Sequence, residues 1–463
     1  LSLSLSLSLS LSLSLSLPDL FSLLCVIECV VVLIFRPSSD YVPRLMNLEK
    51  YLLLRFHAAK LGLLALLVAL RGTQLTDSSL PLNLQGMNLS YLDLRGHSLA
   101  GRDLRNADLT GVIADGVDFS QCIFRGHTDS SANASYTAVA AADAKQKQNK
   151  RDAGDVPTAT FAKAHLSGAK FAGCDLQRVP FDGAVLNGAD LSQADLRGAS
   201  MIGADLRHAQ LSKAKLGLAV LDCSNLANAD VKHADLSGCS LRGSILLGAD
   251  FSGAKLDGSQ LPCILSGVRF SEIASGLDHR DFSHHTLDGT VFSKCDLSGC
   301  VFTSSQAAGA VFADSKLNGA DFSAANLTGA NFSGASLSSN NNKNGHVKLA
   351  GAKLKDADFT RANLSGMNLS SIAVELSQSS KRFSGANLSG ADLSGLDLAE
   401  FDFSQSVLID AKLPDSLRGV NLEGANLSGV NLANRDLGGA NLSGANLTGP
   451  ISTERRWPMR SWT

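Results

Sequence analysis

Along most of the chain an apolar residue recurs at every fifth position. In GADLSQADLRGASMIGADL (residues 188–206) these residues are Leu191, Leu196, Met201 and Leu206, each preceded two positions earlier by alanine, with polar residues between. Neither regular element accepts that spacing. An α-helix turns about 100° per residue, so five steps smear the apolar side chains around the cylinder. A flat strand alternates faces with period two, so an odd spacing sends successive leucines to opposite sides. Two inward positions separated by one outward residue is, however, local β alternation, and a bend after each unit absorbs the odd step. The pattern therefore predicts a coil of short extended segments joined by corners. Each central residue (position i) and the small residue at i−2 face one interior.

Centres run from Leu84 to Phe124, Phe161 to Leu261, Phe282 to Leu337, Leu349 to Leu369, Phe383 to Leu413 and Leu417 to Leu447, 61 in all. Breaks at 127–157, 262–279, 338–348 and 371–380 read as surface loops. The corner position i+2 is often Gly, yet Arg178, His208, Lys213 and Leu218 also occupy it, so ordinary residues must reach the corner conformation.

The motif A-[DN]-L-x-G, as in GADLS, GANLS and GANLT, resembles the pentapeptide-repeat family over about residues 82–448. The resemblance implies an all-β solenoid: a right-handed quadrilateral β-helix with four pentapeptides per coil, hence about 15 coils and a length on the order of 70 Å at about 4.8 Å per coil. Side chains twenty residues apart then stack. Phe282, Phe302 and Phe322 form one ladder and Phe292, Phe312 and Phe332 another on the opposite face, with leucines between. Ala307 stands where Leu is expected, predicting a small void or a local collapse. Outside, Asp195, Lys215, Asp235 and Lys255 stack with alternating sign. Asp415 and Arg435, both at inward i−2 sites one coil apart, are expected to meet as a buried or half-buried ion pair, because an unpaired interior charge is costly.

The ends depart from the period. Residues 1–18 are a low-complexity Leu-Ser tract from which no fold is drawn. Residues 19–72 hold apolar helical segments. Residues 20–35 form an apolar run broken by Glu28, short of a full membrane span. Lys50, Arg55 and Lys60 precede the apolar core 61–70 in the order of a signal peptide. The alternative for residues 45–70 is an amphipathic helix covering the open end of the repeats. The expected organisation continues as repeats over 82–126, an inserted loop at 127–157, repeats with short loops over 158–449, and a basic tail at 450–463 carrying Trp457 and Trp462. For that tail, a plug, a membrane-interface contact and disorder are all open readings.

Net charge is −2, which leaves no electrostatic footprint for nucleic acid and argues against imitation of duplex DNA. Of nine cysteines, Cys122, Cys174, Cys239, Cys295 and Cys300 replace the inward alanine and read as small core residues. His279, His284 and His285 cluster with two aspartates at 276–286, but without the spacing of a known metal site, and read as surface. Asn-x-Ser/Thr triplets such as those at Asn326, Asn363 and Asn446 follow from the repeat itself, leaving Asn133 as the better glycosylation acceptor. No catalytic, cofactor or metal residues can be singled out. The expected function is a non-enzymatic scaffold or protein-interaction module without a cofactor, binding a protein through faces or loops. The alternative is a membrane-tethered or lumen-targeted protein with membrane contact through residues 20–35 or 61–70, and a third reading, which the charge disfavours, is a DNA-mimic inhibitor of a DNA-binding enzyme.

Overall fold

A computed structural model describes residues 82–125, 158–338, 345–377 and 379–449. The unit centred on Leu191 shows how five residues close a corner. Leu191 N donates to Gln210 O (2.8 Å) and Gln193 N to Ser212 O (2.9 Å), both in the next coil. Ala194 N turns back to Leu191 O (3.2 Å), while Asp190 N reaches Ala169 O in the preceding coil (2.9 Å). One donor is left, Ser192 N, and the Asp190 carboxylate accepts it at 3.0 Å. Every N–H of the unit is thus satisfied, as a buried or semi-buried backbone requires.

Parallel pairs such as Asn83 with Asp103, Asp195 with Lys215 and Lys215 with Asp235 lie twenty residues apart. Four units therefore complete one turn of a β-solenoid. The interior is lined by the i and i−2 side chains, most of them wholly buried. At the last described coil Leu432, Leu437, Ala440 and Ala445 are only partly covered and Leu447 is exposed.

The breaks behave differently from one another. Asp108 pairs with Thr160 and Asp118 with Lys170, and Arg125 pairs with Thr158 across the gap. The chain therefore leaves and re-enters at neighbouring points, and residues 127–157 are inserted without disturbing the stack. At 338–348, Asp321 pairs with Lys348, so seven residues are added to one turn.

The other two breaks correct the sequence reading. Residues 262–279 stay in the coil: Leu265, Val268, Phe270 and Leu277 are buried, and the register shifts by one or two residues (Asp250 with Arg269, Arg269 with Val291). Residues 371–380 are not a plain loop. A 3-10 turn (Ser370–Ile372) runs into a one-turn helix, α1 (Ala373–Ser377), which buries Ile372 and Leu376 while Glu375 accepts from Gly351 N at 2.8 Å.

The expectations for residues 1–18, the apolar segments within 19–72, nearly all of the insertion including Asn133, and the tail with Trp457 and Trp462 lie outside the described residues. Among the described residues no helix is long and apolar enough to cross a membrane.

Candidate functional site

Three regions can do chemistry or bind: the interior, the corners and the outward faces. The interior is filled by side chains, mainly as leucines and alanines over 184–249 and as aromatic columns over 251–403. Ring centroids of Phe282 and Phe302 are 5.2 Å apart and those of Phe302 and Phe322 4.5 Å, in near-parallel planes. Phe292 to Phe312 is 5.6 Å and Phe312 to Phe332 5.1 Å. The two columns meet edge to face, Phe302 to Phe312 at 5.8 Å and 81°. The second column is longer than its repeats suggest. Phe251, Phe270, Phe292, Phe312, Phe332, Phe359, Phe383 and Phe403 stack in one line, passing the register shift, the seven-residue insertion and α1. Spacing of twenty relates Phe403 to Phe383 but could not tie the additional members to the column, because each break changes the interval. Ala307 is wholly buried within the same core, and its N still donates to Asn326 O at 2.9 Å.

Charge enters the interior at i−2 positions. Arg435 Nη1 meets Asp415 Oδ1 at 2.5 Å, so the expected pair forms, but not as the buried or half-buried one expected: Asp415 is fully exposed and Arg435 about one-fifth exposed. Leu413 and Leu417 are only four residues apart, so the unit is one residue short. Pro414 takes the inward place and Asp415 turns out.

Sequence reasoning missed Arg102 and Arg280, which hold the same i−2 position. Arg102 is buried, with Nε 3.4 Å from Ser98 O. Arg280 donates to Ser259 O (3.0 Å), Ser259 Oγ (2.9 Å) and the carbonyls of Leu256 and Gly276. Burial lowers its pKa. Leu256 O also accepts the Ser259 N–H at 3.0 Å, whereas the carbonyls of Ser259 and Gly276 take no backbone donor, so there the guanidinium supplies the missing partner. A charged residue at an otherwise alanine position is the signal that marks both arginines.

At the corners, Arg178, His208, Lys213 and Leu218 hold φ of 59°, 56°, 59° and 59°, the left-handed region. The recurrent Asp or Asn at i−1 and Ser or Thr at i+1 have a structural job. The carboxylate or amide oxygen accepts from the i+1 N–H, and often from its hydroxyl, as in Asp250 with Ser252 and Asn387 with Ser389. In some units whose i−1 carries no such oxygen, one comes from the coil below: Asp182 accepts from Ile202 N and Asp222 from Arg242 N.

Arginine at i+1 replaces the hydroxyl by an ion pair. Arg105 donates to Asp103 and Arg207 to Asp205, both at 2.6 Å, holding these carboxyls below their ordinary pKa. Asp195 likewise pairs with Arg197 at 2.7 Å, within its own unit. Cross-coil pairs form elsewhere, as Lys316 with Asp296 at 3.3 Å.

The histidine cluster is dispersed. His279 and His284 occupy corners, and His285 turns its Nδ1 to Ser283 O (2.9 Å) and its ring edge-on to Phe282. Among the described residues no group of His, Cys, Asp and Glu is arranged to hold a metal ion. The five inward cysteines are buried and unpaired. Among the described residues an aliphatic patch interrupts the polar outer surface: Ile245 and Leu247 flank one buried centre, Ile264 follows one coil on, and all three are exposed. Leu247 leans over Gly267 of that next coil.

A family model described as Pentapeptide repeats matches residues 88–126, 159–188, 180–217, 224–261, 308–339, 345–372, 382–416 and 416–449, more than half of the chain. The unmatched stretch 262–307 contains the register shift. No curated protein sequence matches the chain. Solved structures to which it is similar include HetL, a pentapeptide repeat protein involved in heterocyst differentiation regulation in Nostoc sp. strain PCC 7120. It is 25% identical over 60% of this chain and 88% of that one, with a TM-score of 0.25. QnrB1, a plasmid-mediated fluoroquinolone resistance protein, is 21% identical over 42% and 91%, TM-score 0.20. A pentapeptide repeat protein of the Arabidopsis thaliana thylakoid lumen is 22% identical over 39% and 74%, TM-score 0.11. At these TM-scores the chains superpose poorly as wholes.

Proposed function

Given that this chain belongs to the pentapeptide-repeat family, we propose that it acts as a non-enzymatic scaffold, a right-handed solenoid of about fifteen coils that binds a protein partner on its outer surface. The observation that carries this reading is the filled interior. Phe302, Phe312, Phe322 and their leucine neighbours are wholly buried and in mutual contact, so recognition falls to the outward faces and the insertion. A face whose carboxylates and hydroxyls are already spent on closing corners offers little chemistry of its own. The patch of Ile245, Leu247 and Ile264 is the exception, since exposed aliphatic clusters with a polar rim are what protein interfaces use. Near-neutral net charge favours a protein over a polyanionic partner.

Affinity capture with three baits tests the reading: the full chain, the chain lacking 127–157, and a triple variant Ile245→Ser, Leu247→Ser, Ile264→Ser. A partner retained by the first and lost by either of the others, with unchanged circular dichroism, supports it. Identical capture by all three removes the patch and the insertion as the binding elements.

A further inference from the structure

We infer that Cys122 and Cys174 form a disulfide-exchange site whose oxidation staples the solenoid across its long insertion. The two thiols lie 52 residues apart in sequence and at one position of adjacent coils. The register is fixed on both sides: Asp118 pairs with Lys170, Phe119 stacks on Phe171 at 4.7 Å, and Arg125 reaches Asp175 at 3.9 Å. Stacked residues of neighbouring parallel segments sit about 4.8 Å apart, within the range of about 4.4–6.8 Å that a disulfide spans between Cα atoms. One carbonyl joins the two residues already. Phe119 O accepts from Cys122 N at 3.2 Å and from the Cys174 thiol at 3.3 Å. The Cys122 thiol points the other way, to Leu99 O at 2.8 Å, so the link needs rotation about its Cα–Cβ bond.

The other described cysteines lack this relation. Cys295 and Cys300 share one coil, Cys239 stacks between Ala219 and Ser259, and Cys223 and Cys263 are exposed.

The oxidant is a small disulfide of the oxidised-glutathione class. One cysteine thiolate attacks a sulfur of the oxidant and releases one thiolate, giving a mixed disulfide. The second cysteine thiolate then displaces the other half. Two protein thiols thereby lose two protons and two electrons, and the oxidant leaves as two thiols. Burial pushes the Cys122 thiol up to about 12 and that of Cys174 up to about 11, so the exchange belongs to a transiently opened coil rather than the closed one.

The test uses the folded full chain, incubated with oxidised glutathione in sub-denaturing urea, diluted back, alkylated and digested with trypsin without reduction. Cleavage after Arg105, Arg125, Lys170 and Arg178 puts the two cysteines on separate peptides, 106–125 and 171–178. The expected product is these two peptides joined, with an upward shift of the unfolding midpoint that reductant reverses and Cys122→Ser abolishes. Inward serine is accepted elsewhere in the coil, at Ser224 and Ser315, so that variant retains the fold. Recovery of both peptides alkylated and unlinked from chain with unchanged circular dichroism overturns the inference, as does a dominant link between any other pair.

Discussion

At the scale of single residues, the five-residue repeat allots each side chain one task, and departures have predictable costs. A non-glycine residue in the left-handed corner costs roughly 1–2 kcal/mol. Leu218, at φ 59° and without a local hydrogen bond to offset that strain, is the least suited. Leu218→Gly is expected to raise stability by up to about 1 kcal/mol in a urea titration. Gly253→Ala goes the opposite way, losing about 1–2 kcal/mol. Its φ of +71° is left-handed, and the new Cβ overlaps the His233 ring one coil below.

At the scale of the element, stability comes from stacking. Phe302 touches Phe282, Phe322 and Phe312. Phe302→Ala is expected to cost about 3–5 kcal/mol by transfer and cavity terms, and a smaller loss for Phe302→Leu in the same chemical denaturation series would show that volume dominates. Arg280 holds the irregular turn at 262–279 by donating to carbonyls rather than by packing. Arg280→Ala leaves the carbonyls of Ser259 and Gly276 without a protein donor and should cost about 1–3 kcal/mol. Hydrogen exchange should rise at 256–282 before it rises elsewhere, since neighbouring coils open locally.

At the scale of the whole molecule, many carboxyls act together. The pKa of Asp103 is lowered by the Arg105 guanidinium and that of Asp205 by Arg207. Asp118 is lowered by the Ser120 N–H, and Asp281 by the Ser283 hydroxyl. Each has a folded pKa below its unfolded value of 3.8. Their stabilisation is therefore complete above that value and lost as pH falls through the folded ones. The thermal midpoint should be level from neutrality to about pH 5 and fall below about pH 4. A midpoint unchanged between about pH 6 and pH 3 would mean that these corner bonds contribute nothing net.

The period in the sequence was enough to determine the local fold, because a five-residue unit with two inward positions has one economical closure. Leu191, Ala189 and Asp190 each carry their place in the coil in their identity. The pairs of phenylalanines twenty apart follow directly. What tertiary structure decided lies where the interval is not twenty. Phe251 joins Phe270, Phe332 joins Phe359, and Cys122 sits beneath Cys174 only because folded coils re-establish register after a deletion or insertion. Likewise Asp415 turns outward because a unit one residue short gives its inward place to Pro414. Backbone hydrogen bonding between coils restores alignment at the first opportunity, and a linear pattern records the interruption without recording which neighbours it brings together.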